Sequence, residues 1–153
     1  MDCIEYKKGY KYQLKSEYQV VIPINPENNI STDFIALSTE GKLTICNGYA
    51  WDGPSGPTPD FISFMRSSLI HDALYQLMRE QFLDKATHRK LADRLFYQLC
   101  LDDGMNRMVA WIAFCLVRKL GDPSADPANR RKMRRAPIFC TLNKWIRRTA
   151  ESE

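Results

Sequence analysis

The order of apolar and polar positions divides the chain into a strand-like first third and a helical middle. Residues 17–24 (EYQVVIPI) are dense in β-branched side chains, which suit extended backbone. Segments 33–38 (DFIALS) and 42–46 (KLTIC) alternate, so Ile35 and Leu37, then Leu43 and Ile45, fall on one face. Thr39, Glu40 and Gly41 between them suit a tight hairpin turn. Residues 4–14 (IEYKKGYKYQL), with Tyr6, Tyr10 and Tyr12, are a weaker strand candidate.

After residue 60 the period changes. Met65, Leu69, Ala73 and Leu77 recur at helical spacing and predict a helix from Ile62 or Met65 to Arg79. A second helix is expected from Lys85 to Leu101, capped by Asp84 or Thr87. Its core stripe is Leu91, Leu95 and Leu99 with Ala92 and Phe96. A third runs from Asn106 to Leu120 and stops at Gly121. The apolar run inside it, Met108 to Val117, is too short to span a bilayer. It predicts a buried core helix with Trp111 inside. No proline lies between Asp60 and Asp122, where these helices are expected. Prolines and glycines crowd residues 47–60 (NGYAWDGPSGPTPD), a loop, and 122–131 (DPSADPANRR), a turn-rich linker. Residues 138–148 (IFCTLNKWIRR) suit a short amphipathic basic helix. The expected fold is α+β: N-terminal antiparallel strands with a hairpin, a three-helix core, and a basic C-terminal helix. Residues 1–121 are expected to form a single domain, followed by linker and helix over 122–153.

Composition narrows this picture. The chain has 153 residues, enough to bury a core without covalent staples. Its five cysteines, Cys3, Cys46, Cys100, Cys115 and Cys140, are odd in number and lack CxxC spacing. That argues against a disulfide framework and a zinc knuckle and predicts mostly buried thiols in a reducing cytoplasm. The start, MDCIEYKKGY, has no apolar signal core. The net charge of +4 is uneven: residues 130–148 hold eight Lys or Arg and no acid, leaving 14 basic and 18 acidic side chains elsewhere. Arg130, Arg131, Lys132, Arg134, Arg135, Lys144, Arg147 and Arg148, with Trp145, are therefore candidate contacts to a membrane or to nucleic acid. A solvated surface tail accounts for the same charge.

The string LIHDALYQLM (69–78) carries the chemistry. A polar pair in an apolar helix needs partners, because burying it without them costs on the order of 2–7 kcal/mol per group. His71 is a proton carrier near neutral pH, Asp72 can hold a cation, and Tyr75 lies one turn beyond His71. The preceding loop, with Gly48, Gly53, Gly56, Pro54 and Pro57, exposes backbone carbonyls. With Asp72 these make a hard-oxygen site of the kind calcium takes, to which Asp52 and Ser55 could contribute. If the first two helices form an antiparallel hairpin, Asp93 faces His71 and fixes its tautomer. Plainer readings stand beside these. His71 is then a satisfied structural histidine. Asp72 pairs with Arg79 or Arg66, and Asp93 pairs with Arg89 or Arg94 at the surface. Trp51 is a loop anchor rather than a lipid-facing aromatic, and His88 is a solvated helix residue.

A glycine-rich loop, then His-Asp-x-x-Tyr on a helix, then Asp on the next helix, resembles the catalytic core of secretory-type phospholipase A-two over about 45 residues. The resemblance implies His71 as the base activating water and Asp72 as the calcium carboxylate. It makes Tyr75 and Asp93 the supports of the histidine. Carbonyls near Tyr49, Trp51 and Gly53 would complete the calcium site, and a loop amide would bind the oxyanion. The half-cystines that flank the histidine in that family are absent here. A longer stretch, Asn47 to Gly121, is similar to a phage and prophage family known only as a domain of unknown function. GYAWDGPSGP, SSLIHDALYQ, THRKLADRLFYQLCLDDGM and VRKLG carry that likeness. Asp52, Ser55, His71, Asp72, Tyr75, Arg89, Ala92, Asp93 and Arg94 occupy its motif positions.

Together these predict a phage- or prophage-encoded, calcium-assisted ester hydrolase acting on phospholipid, with Ser55 and Trp51 touching substrate. It would be made in the host cytoplasm and be a candidate virion component. The alternative is a non-catalytic phage protein that binds a virion or host protein and uses the His-Asp-Asp network structurally. A His-Asp phosphohydrolase is disfavoured because no histidine precedes His71. Nucleic acid is the less favoured partner of the basic stretch.

Overall fold

The computed structural model describes residues 4–6, 11–53, 62–130 and 134–136. It is α+β, as the pattern predicts. By its contacts the chain divides into two units, Tyr10–Arg130 and Met1–Gly9 with Arg131–Glu153. In the second, β1 (Ile4–Tyr6) pairs antiparallel with β8 (Arg134–Ala136), matching Glu5 with Arg135. The helix expected over 138–148 lies outside the described residues.

The larger unit opens with β2 (Tyr12–Gln13) and β3 (Tyr18–Val21), followed by β4 (Ile30–Ser31), β5 (Ile35–Leu37), β6 (Lys42–Ile45) and β7 (Ala50–Trp51). Strands β3, β6, β5 and β4 form one antiparallel sheet in that order, and β2 pairs with β7. The β5–β6 hairpin turns where the sequence places it, closed by Gly41 N donating to Ser38 O at 2.9 Å. Its register sets Ile35 opposite Ile45 and Leu37 opposite Leu43, and all four side chains are fully buried. Burying each is worth roughly 1.5–3 kcal/mol, so a one-residue slip, which would turn the slipped strand's pair to the other face, is strongly disfavoured.

Helices α1 (Ile62–Arg79), α2 (Lys85–Asp102) and α3 (Arg107–Leu120) follow. Asp84 caps α2, accepting from Thr87 N at 2.7 Å and Thr87 Oγ1 at 2.6 Å. Asn106 caps α3 through Met108 N. Contacts of Arg66 with Asp103, Ser67 with Cys100 and Tyr75 with Arg89 run in opposite order along α1 and α2. The two helices therefore form an antiparallel hairpin. The buried face of α1, with Leu69, Ile70, Ala73, Leu74 and Leu77, joins the sheet in one core. Phe64, Phe96, Cys100, Met105, Ala110 and Ala113 form a second core among the three helices.

The structure departs from the pattern in several places. Leu91, expected in the α2 stripe, is exposed, whereas Ala92, Phe96 and Leu99 are buried. The third helix is not enclosed: only its Ala110 and Ala113 are buried, and Trp111 is 55% exposed. Cys115 is exposed and Cys46 half-buried, so only Cys100 of the described cysteines fits the expectation of buried thiols. Residues expected to be linker form α4 (Asp122–Ala125) and a 3-10 turn (Pro127–Asn129) that pack against α1. Lys85 ion-pairs with Asp122 and Asp126, Arg89 with Asp122, and Arg79 donates to Ser124 O. Burial of Ala125 completes this docking.

Candidate functional site

Helical spacing puts His71 and Tyr75 on one face of α1, their rings 4.0 Å apart. The antiparallel hairpin brings Asp93 of α2 opposite them. Its Oδ1 lies 2.9 Å from His71 Nε2 and accepts from the Tyr75 hydroxyl at 2.6 Å. Oδ2 accepts from Arg118 Nη1 of α3 at 2.8 Å. Asp93 is 0% exposed, so its charge survives only because three donors face it. Burial alone would raise its pKa; the bonds from His71, Tyr75 and Arg118 outweigh burial and hold it below the usual carboxylate value.

Two more residues brace the network. Arg89 Nε donates to the Tyr75 hydroxyl at 3.3 Å, and its Nη2 donates to Arg118 O at 2.8 Å, so one guanidinium spans α1, α2 and α3. Burial and Asp93 together push the Tyr75 hydroxyl well above its ordinary pKa, which keeps it a neutral donor. Gly121 ends α3, as the sequence predicts. Its backbone is right-handed, with φ −77°. Its lack of a side chain serves close approach: a Cβ there would stand 3.0 Å from the Tyr75 hydroxyl.

The imidazole packs on Phe96, with ring centroids 5.2 Å apart, and His71 is 7% exposed. With Nε2 held by Asp93, Nδ1 is the nitrogen left for other chemistry. It faces Asp72, on the half-exposed side of α1, with 3.9 Å between Nδ1 and Oδ1. That gap is too long for a direct hydrogen bond and is the kind one water bridges. Burial disfavours the imidazolium, but Asp72 and Asp93 outweigh burial and raise the His71 pKa. Such an arrangement can hold an imidazole in one tautomer, with Nε2–H on Asp93 and a lone pair on Nδ1.

Sequence reasoning therefore brings together His71, Tyr75 and Asp93, with Asp72 beside them. Asp93 does not pair with Arg94, which is exposed, nor does it lie at the surface. Arg66 turns to Asp103 and Arg79 to Ser124 O, so neither takes Asp72. His88 is half-buried, its Nδ1 against Asp84 O at 2.9 Å. Arg118 was missed. It lies within the VRKLG string, and a buried aspartate beside a neutral imidazole demands a cation, but nothing in the sequence pointed to this one.

The loop residues expected at a cation lie along β7. Trp51 is buried as an anchor, its Nε1 donating to Ser68 Oγ at 3.2 Å and its ring against Tyr12. The carbonyls of Tyr49 and Trp51 accept from Leu14 N at 2.8 Å and Lys11 N at 3.1 Å in the β2–β7 ladder. Gly53 is buried with φ +75°, and a Cβ there would overlap the Tyr12 ring. Asp52 is half-buried. Ser55 lies outside the described residues, as do Arg131, Lys132, Lys144, Trp145, Arg147 and Arg148. Arg130 is exposed after the 3-10 turn, and Arg134 and Arg135 belong to β8.

No family model, curated protein or solved structure matches this chain. The two resemblances rest on the motifs that carry them.

Proposed function

We propose that the protein is a phage- or prophage-encoded hydrolase of phospholipid acyl esters, with His71 as general base. The observation that carries this reading is the division of labour on one imidazole. Nε2 is committed to Asp93, and Nδ1 faces the half-exposed side of α1 beside Asp72.

In the proposed reaction, His71 Nδ1 takes a proton from a water as its oxygen bonds to the ester carbonyl carbon. Asp93 stabilises the imidazolium that forms. Collapse of the tetrahedral intermediate breaks the carbon–oxygen bond to the alcohol, and Nδ1–H returns the proton to that leaving oxygen. The products are a fatty acid and a lysophospholipid. Tyr75, Arg89 and Arg118 are positioning residues that hold Asp93.

Calcium at Asp72 belongs to the phospholipase resemblance. Among the described residues no three His, Cys, Asp or Glu gather where one ion could bind. The Tyr49 and Trp51 carbonyls each already accept an amide. An ion there would be held by Asp72 with backbone oxygens, each carbonyl keeping one lone pair beyond its amide bond, and it would polarise the ester carbonyl.

The test is fatty acid release from mixed phospholipid–detergent micelles, with calcium and with chelator. Wild type should release fatty acid, and His71→Gln should lose it while keeping its circular dichroism. A folded wild type inert on several phospholipids and simple esters, with and without calcium, sinks the hydrolase.

A second reading, that the network serves folding in a phage structural or host-binding protein, is favoured by one observation. The imidazole is nearly enclosed, and every buried polar side-chain atom among the described residues has a partner. It predicts that His71→Gln lowers the melting temperature with no activity to lose.

A further inference from the structure

Among the described residues, exposed large apolar side chains concentrate on α3. Ala110 and Ala113 turn inward against the helical core. On the opposite side Met108, Trp111 and Ile112 are 72%, 55% and 52% exposed, and Cys115 is exposed too. An exposed apolar face of this extent on one helix calls for something that covers it.

Charge indicates what. Arg107 stands exposed at one end of the helix and Lys119 at the other, and α3 contains no acid. The acids flanking the helix in sequence are engaged: Asp103 with Arg66, Asp102 with Gln98 Nε2, and Asp122 with Lys85 and Arg89. A second copy of the helix would suit this face poorly. Laid antiparallel, it would set Arg107 against Lys119; laid parallel, each cation would meet itself. An anionic lipid surface fits both features, because acyl chains take the apolar stripe and headgroups take the cations. A 14-residue helix lying flat covers about 21 Å. Trp111 stays ordered beside Tyr97 and Phe114, with centroids 6.0 and 5.4 Å away, so its ring enters the interface without losing freedom it already lacks.

We propose that α3 is an interfacial helix that seats the protein on anionic phospholipid, through Met108, Trp111, Ile112 and Cys115 with Arg107 and Lys119 at the ends. The choice of lipid over a protein partner rests on the phospholipid-ester reading above. The same helix reaches the site from its other side, since Arg118 holds Asp93 Oδ2. A protein seated on α3 would thus have its histidine network braced from the lipid-bound element.

Co-sedimentation of the full chain with phosphatidylcholine vesicles, with and without phosphatidylglycerol, tests this without turnover. Wild type should bind the phosphatidylglycerol vesicles, and Trp111 fluorescence should be quenched by brominated lipid. The pair Met108→Gln and Ile112→Gln, both on exposed positions, should weaken binding at least about tenfold with an unchanged melting curve. Binding equal to wild type in that double variant overturns the proposal. So does a wild type that ignores vesicles but dimerises in gel filtration through the same residues. Fatty acid release from micelles without vesicle binding removes the α3 surface alone. Vesicle binding without release removes the hydrolase alone.

Discussion

Asp93→Asn separates a buried ion network from a set of incidental contacts. The amide keeps one acceptor for His71 or Tyr75, but it turns an N–H toward Arg118 Nη1, only 2.8 Å from the present Oδ2. Two bonds to a charged acceptor become bonds to a neutral one, each losing about 1 kcal/mol. Arg118 loses its carboxylate. Its side chain is 35% exposed, so water recovers much of that loss and roughly 1 kcal/mol is left. The expected cost is about 3 kcal/mol, at the lower end for breaking a buried pair. In urea the midpoint should fall with the slope unchanged, and Tm should fall by roughly 10 °C. Adding Arg118→Met should recover about 1 kcal/mol, because the cation then no longer faces an amide donor. A loss under about 1 kcal/mol for Asp93→Asn, or strict additivity of the two changes, would refute the network.

The pH dependence has two limbs. His71 lies above its ordinary 6.5 when folded, so its contribution is complete below that pH and is lost as pH rises through the folded value. Asp93 lies below its ordinary 3.8, so its contribution is complete above that pH and is lost as pH falls through the folded value. Urea midpoints should be highest between these limits. Asp72→Asn should move the His71 titration downward, seen in its imidazole proton resonance; an unmoved titration contradicts the role given to Asp72. Gly121→Ala presses a methyl on the Tyr75 hydroxyl and Val117 O and should cost about 1–3 kcal/mol by thermal melting. No loss there would mean the end of α3 yields freely.

Local order was legible in the sequence and long-range order was not. The β5–β6 hairpin was legible because alternation and a turn residue act over fifteen or so positions. The His71–Asp93 contact was legible for a related reason: two proline-free helices with a short connection fold back on each other. The pairs β1–β8 and β2–β7 were not, since two or three residues carry no period. The outer face of α3 misled most. Apolar residues nearly all round a helix read as burial, yet burial depends on what the chain brings to cover them. Only the two alanines, small enough to let α2 approach, marked the inner side. Arg118 was hidden by the same gap, because which residue of α3 reaches Asp93 depends on how α3 crosses α2. Once Asp93 is placed inside, facing an imidazole and a phenol, a carboxylate there needs a cation to stay ionised. Of the two candidates on α2, Arg94 is exposed and Arg89 turns to Tyr75, the Arg118 carbonyl and Asp122. The cation had to come from another element, and α3, with two basic residues in its last turn, was placed to supply it.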